Sequence, residues 1–346
     1  MAAEEERGKK WPRRRVLAGV GGIAGGAVLG DLIWHRMRHH KKKAEPDGQP
    51  RNLTLAWASP EDDLALIVAQ ERGFFANYQL DVTTRPTVTG KQAIAALSDE
   101  KVVGAVAAAL SWLPLLQSGT PAKLIAGIGP GTFRLLVRRN SGITRIGDIV
   151  GRPIAVLNED AADQRFFSVL LRRKGIEPNT VHWTPVSDTK IDQALAAGEV
   201  DGVVLHDPDG WQMLSDNHAT LVELAGSTTG NYAARVNRTV GLSNRFLNED
   251  PSGAVALALA LRDACRWIEK HRNERVALLG SHLPDMEEDD IRQMVDHQPP
   301  PVHVMGPWLR DQVAEYADEL KLLNLLPDAL DSGAFSRNIC RNVLHI

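Results

Sequence analysis

Cysteine is nearly absent from this 346-residue chain, which has only Cys265 and Cys340. Two thiols are too few for a disulfide framework or a cysteine-based zinc site; they leave one bridge or two buried free thiols. Basic charge is also scarce once the N-terminus is set aside. Residues 1–50 carry eleven Lys and Arg against six Asp and Glu, a net of +5, and the other 296 residues carry twenty-nine against thirty-seven, a net of −8. So acidic a body lacks the basic face that displaces counterions from phosphates, so no nucleic-acid partner is expected. Outside the basic run His35 to Lys43, whose His35 and His39 read as membrane-surface residues in a charge run, no recognisable metal spacing such as His-x-x-x-His occurs. The nearest approaches are His206-Asp207 and the stretch HQPPPVHVM at 297–305, which reads more simply as a rigid connector between helices. No metal and no cofactor are expected.

What the chain does have begins with its N-terminus. KKWPRRRVLAGVGGIAGGAVLGDLIW sets Arg13, Arg14 and Arg15 before a Gly- and Ala-rich apolar stretch from Val16 to about Trp34, interrupted by Asp31. This is the layout of a targeting segment, and its order resembles the twin-arginine export signal. The stretch is just long enough to cross a bilayer. It is followed by a second basic block, HRMRHHKKK, with no clear small-x-small cleavage site. Residues 1–51 therefore read as a twin-arginine-like signal or membrane anchor plus the linker AEPDGQP. No cysteine follows the apolar run, so lipid attachment at a mature N-terminal cysteine is not expected.

Beyond the linker, strand and helix patterns alternate twice. LTLAWA, LDVTTR, VVGAVAA, AKLIAGI and FRLLVRR read as strands of one series, and PIAVL, VHWTPV, VDGVVL and TLVEL as strands of a second. Such alternation predicts an α/β fold with mainly parallel sheets covered by helices. After residue 247 the chain is almost wholly helical, and AVALALALRDACRWI is apolar on most sides, which marks a buried helix. That helix needs an existing lobe to pack on. The expected arrangement is lobe 1 from 52–138 and 241–296, lobe 2 from 139–240, two hinge crossings between them, and a C-terminal helical segment at 297–346 packing on the lobes.

Ligands of open α/β sheets bind beyond the carboxyl ends of the strands, where helix N-termini present N–H groups. In this chain those ends supply Ser59, Glu61 and Asp62; Gly90, Lys91 and Gln92; Ser111 and Trp112; Asn158, Glu159 and Asp160; Ser187 and Thr189; and His206, Asp207 and Trp211. Capping explains several of these singly; as a group they are the candidate ligand-binding residues. Lys91 offers a cation to an oxyanion, Ser187 and Thr189 offer hydroxyl donors, and Trp112 and Trp211 are expected to wall the site. The carboxylates pull the other way. If two or more face the cleft, a ligand with some positive charge fits better. Asp207→Ala is expected to weaken the response to ligand and leave the apo protein folded.

Four segments in order, ERGFFANYQLDV, GITRIGDIVGRPIAV, LLRRKGIEPNTV and DQALAAGEVDGVVLHDP, resemble the substrate-binding proteins of ATP-driven importers for nitrate, aliphatic sulfonates and taurine. The resemblance covers about residues 52–250. It implies the two-lobed type II periplasmic-binding-protein fold, a small-molecule ligand held between lobes, ABC permease and ATPase partners, and a place outside the cytoplasmic membrane. It includes thiamin-precursor binders among the ligand classes. Neighbouring desulfinases and thiamin-pyrimidine synthases would demand a functional cysteine near the cleft. Cys265 falls in the buried helix and Cys340 near the end, so an enzyme is not expected. The alternative is an exported enzyme or an anchored sensor on the same fold.

Overall fold

A computed structural model describes residues 49–59, 63–159, 161–299 and 302–345. The N-terminal segment read as a signal or anchor lies outside the described residues over 1–48, as do Glu61, Asp62 and Asp160. Among the described residues no helix is long and apolar enough to cross a membrane.

The first half-lobe runs β1 (Arg51–Ala58), α1 (Leu64–Glu71), α2 (Phe74–Asn77), β2 (Leu80–Thr87), α3 (Gly90–Ala95), β3 (Val102–Ala108), α4 (Ala109–Gln117) and β4 (Ala122–Pro130). The chain then crosses at Gly131 and Thr132. The second lobe follows with β5 (Phe133–Arg138), β6 (Pro153–Val156), α5 (Ala162–Arg173), β7 (His182–Pro185), α6 (Ile191–Ala197), β8 (Gly202–His206), α7 (Asp209–Asp216) and β9 (Leu221–Gly226). Residues 227–235 cross back. Lobe 1 is completed by β10 (Val236–Ser243), α8 (Asn244–Glu249), α9 (Pro251–Lys270), α10 (Arg272–His282), α11 (Glu288–His297), β11 (Val304–Met305), α12 (Pro307–Leu322) and α13 (Ser332–Ile339).

Each lobe holds one sheet, ordered β11-β4-β10-β3-β1-β2 in lobe 1 and β7-β6-β8-β5-β9 in lobe 2. Both are mixed, where the sequence predicts mainly parallel sheets. β1 lies parallel to β2 and β3, while β10 enters antiparallel between β3 and β4. In lobe 2, β6 lies parallel to β7 and β8, and β5 is antiparallel to β8 and β9. The antiparallel strands β5 and β10 are those the chain makes on arriving from the other lobe, and the short edge strand β11 also pairs antiparallel, with β4. This corrects the expected boundaries. The strand at 133–138 belongs to the second sheet, and the strand at 236–243 belongs wholly to the first. Apolar strands of this kind do not announce which sheet they join.

The two crossings lie side by side. Phe133 N donates to Ser227 Oγ at 2.8 Å, and Ser227 N donates to Phe133 O at 2.9 Å. The long helix α9 is started by Asp250, whose carboxylate accepts from Gly253 N at 2.8 Å, and by Pro251 in the first turn. Its Ala- and Leu-rich face buries against α1 and the first sheet. α4 is the element the sequence pattern hides, because ALSWLPLLQ is apolar almost throughout and contains Pro114. The C-terminal segment touches both lobes: β11 extends the first sheet, and α12 packs against α4 and against α5 of lobe 2.

Candidate ligand-binding site

A cavity of about 120 Å³ lies where the crossings, lobe 1 and the end of β8 meet. Its walls come from the start of α1 (Asp63 to Ala65), the end of β4 with Thr132, Arg238 on β10, Cys265 and Ile268 on α9, Arg275 on α10, and Val295 of α11 with Gln298 and Pro299 just beyond it. Lobe 2 contributes Asp207. Apolar side chains thus surround a few polar groups, the usual composition of a small-molecule site.

Asp63, absent from the sequence-derived candidates, organises the lobe 1 wall. It caps α1 by accepting from Ala65 N and Leu66 N at 3.1 and 3.3 Å. Its second oxygen accepts from Trp57 Nε1 at 2.9 Å and pairs with Arg238 Nε at 3.1 Å. Asp207 is held as firmly. Arg134 of β5 donates to it from Nε at 2.5 Å and from Nη2 at 2.9 Å, and Gln298 Nε2 reaches it at 3.2 Å. Arg134 also pairs with Glu223. The Asp207 carboxylate is thus a neutralised member of a buried bidentate pair, the strong form of an ion pair. This corrects two expectations: Asp207 adds no free negative charge, and Asp207→Ala leaves a buried guanidinium short of a partner. Arg134 carried no sequence signal, and Asp63 stood out only as one of the acidic residues that follow the first strand.

The remaining candidates fall elsewhere. Gly90 and Ser111 adjoin each other at the strand ends of lobe 1, where a Cβ on Gly90 would sit 3.1 Å from Ser111 Oγ. Gln92 is occupied by the capping box of α3, accepting from Val88 N and Thr89 N, and Lys91 is exposed. Trp112 does not wall the cleft. It is fully buried, donates from Nε1 to Thr239 O at 3.2 Å, and presses on Gly241, where a Cβ would lie 2.4 Å from its ring. Trp211 is likewise buried, packed with Ile67, Val276, Leu279 and Met294 beside the His297 ring. In lobe 2, Asn158 is half-buried, and Ser59 of lobe 1 shares that partial exposure. Glu159, Ser187 and Thr189 are exposed. His206 Nδ1 stands 4.0 Å from Asp163 Oδ2 at the start of α5. Two residues on, Arg165 spans the lobes by donating to Leu110 O of α4 at 2.9 Å.

Cys265 was not expected at the cleft, yet it lines the cavity, its thiol 3.6 Å from Ile128 O. Burial, reinforced by the charges of Asp63 and Glu269, pushes that thiol far above the ordinary range. It stays protonated and is a poor nucleophile. Among the described residues no three His, Cys, Asp or Glu side chains form a cluster able to hold a metal ion.

The NMT1/THI5-like family profile matches residues 62–274, more than half of the chain. This chain belongs to the NMT1/THI5-like family. A curated relative from Haemophilus influenzae, whose name assigns it provisionally to thiamine biosynthesis, is 22% identical over 293 residues, covering 81% of this chain and 88% of its own. Among solved structures, the periplasmic aliphatic sulphonate-binding protein of Escherichia coli superposes with a TM-score of 0.69 at 16% identity, covering 85% of this chain and 92% of that one. The periplasmic nitrate-binding protein of Synechocystis PCC 6803 gives 0.67 at 14% identity, covering 86% and 87%. At these identities the likeness shows the fold, which is that of the two-lobed periplasmic binding proteins.

Proposed function

We propose that this NMT1/THI5-like protein is the extracytoplasmic solute-binding component of an ABC importer, and that it holds a small organic or oxyanion solute between its lobes for delivery to a permease and its ATPase. The observation that carries the reading is the cavity at the crossings, walled by both lobes and by the connection between them. A solute bound there gains contacts that depend on the relative position of the lobes, so its affinity differs between open and closed forms and shifts their populations. The named activities of the sulphonate- and nitrate-binding neighbours support the same reading, and the export-like segment around Arg13 to Arg15 supports a place outside the cytoplasmic membrane by the twin-arginine route.

The thiamine-related name of the Haemophilus influenzae relative keeps pyrimidine precursors among the solutes and raises the enzyme alternative. The chemistry of the cavity favours binding over catalysis: its thiol is held protonated, and its carboxylates Asp63 and Asp207 are each occupied by an arginine. The test is a thermal-shift screen with nitrate, taurine, alkanesulfonates, pyrimidine thiamine precursors, amines and divalent metals. A true solute raises the melting temperature in proportion to the logarithm of its concentration above Kd. No shift with any member, or turnover of one of them into product, would count against the reading.

A further inference from the structure

The charges around the cavity cancel in pairs, with one exception. Asp63 is matched by Arg238, and Asp207 by Arg134. Arg275 of α10 also lines the cavity, and its Nε is shielded from solvent with no hydrogen-bond partner among the described residues. None of the described carboxylates forms an ion pair with it, and the charge of Arg272 acts on it repulsively. A guanidinium cannot shed its proton to escape such a setting, so the fold bears the cost of burying it in part without a counter-charge. A polar group left unsatisfied beside a cavity points to what the cavity takes.

We infer that Arg275 is the anion-recognition residue of this cavity, and that the solute is a small organic acid whose carboxylate or sulfonate sits on Arg275 while its apolar body lies against Leu64, Ile128, Ile268 and Val295. The planar fork of a guanidinium matches either head group with two parallel hydrogen bonds. The cavity of about 120 Å³ has room for about four waters at their share of liquid volume, which suits only a short chain of this kind. A cation, favoured by the sequence's acidic clusters, would meet Arg275 with Asp63 and Asp207 already engaged. The inference rests on the solute-binding reading of the same cavity.

Calorimetric titration of the full chain with pentanoate, butane-1-sulfonate, butylammonium and a neutral aminopyrimidine tests it, alongside the variants Arg275→Gln and Lys91→Gln. At least one of the two anions is expected to bind, and the stronger identifies the head group. Arg275→Gln should weaken that anion about 10- to 100-fold, the range for a lost charge-assisted contact. Lys91→Gln, at the strand-end loops, should leave it unchanged. The apo Arg275→Gln protein should melt no lower than wild type, because the substitution removes a half-buried charge that has no ion-pair partner among the described residues; a merely structural arginine would show the opposite. Equal anion binding by Arg275→Gln and wild type, loss of it in Lys91→Gln, or binding of the amine or pyrimidine alone would each overturn the assignment. The last of these would leave the solute-binding reading intact. Silence from all four probes would also overturn the assignment, and the wider thermal-shift panel would still judge the transport reading separately.

Discussion

The two sides of the hinge join the lobes by different chemistry. On one side α12 binds lobe 2 through charge. Glu319 is buried, accepts from Arg235 of the returning crossing at 2.6 Å, and pairs with Arg173 of α5 at 2.8 Å. Arg235 also lies 3.8 Å from the centre of the Tyr316 ring, and Arg172 Nε donates to Leu322 O. On the cavity side the buried ion pairs, Arg134 with Asp207 and Glu223, are internal to lobe 2. Contact across to α11 is apolar or made by uncharged donors: Trp211 in its aliphatic cluster, Ser215 Oγ donating to Asp290 Oδ1 at 2.9 Å, and Gln298 reaching Asp207. Separating the lobes at α12 means parting the buried Glu319 from the half-exposed Arg173 of α5 beside its buried pair with Arg235, which costs a few kcal/mol. Separating them at α11 does not. The cavity side is therefore the side expected to open, with α12 near the pivot.

Three substitutions break this comparison at different strengths. Asp207→Ala is expected to have the largest effect, a loss of about 4 kcal/mol in urea unfolding, because Arg134 is left almost wholly buried with only Glu223 to pair. A loss below 1 kcal/mol would show that Asp207 is not structural. Glu319→Ala should cost about 3 kcal/mol, less because Arg173 is half exposed and can rehydrate, and Glu315 remains 3.7 Å from Arg235. Its distinguishing sign is a solution scattering profile shifted toward a more open form without solute. Gln298→Ala removes one long hydrogen bond to the Asp207 carboxylate, which Arg134 still holds, and should cost about 1 kcal/mol. It should nonetheless weaken the thermal response to solute, since that bond closes the cavity side. If Glu319→Ala leaves the scattering unchanged while Gln298→Ala opens the protein, the pivot has been placed on the wrong side.

Much of this architecture was legible in the sequence. Alternating patterns gave two lobes, Pro251 marked the start of α9, and the six strand-end loops fell at strand ends as read. The sheet partners of β5 and β10 were not legible, because a strand buried on both faces reads the same whether it enters parallel or antiparallel. The site was harder still. Sequence ranks loop residues by type, and it scored Trp112 as a wall because tryptophan suits one; burial against Gly241 is a property of packing. Arg134 and Arg275 stood inside a strand and a helix with no local signal, and became visible only when folding set one against Asp207 and left the other without a partner. Asp207 drew notice for its charge, and the structure spends that charge on Arg134.

The smallest predicted effect concerns pH and again separates the two sides. Glu223, at the edge of the Arg134 network, has its pKa raised from 4.5 chiefly by burial, with Asp207 adding to the rise and Arg134 opposing it. A carboxyl group whose folded pKa lies above its unfolded value takes up a proton on folding. Its contribution therefore declines as pH rises from about 4.5 through the raised folded value, and is level above it. Glu223→Gln removes that titration. The stability of wild type relative to the variant should fall across this window and then stay flat, measured by urea unfolding at a series of pH values. A difference that grows with pH would mean that the attraction of Arg134 outweighs burial, and the cavity-side network would then be as firmly charge-locked as α12.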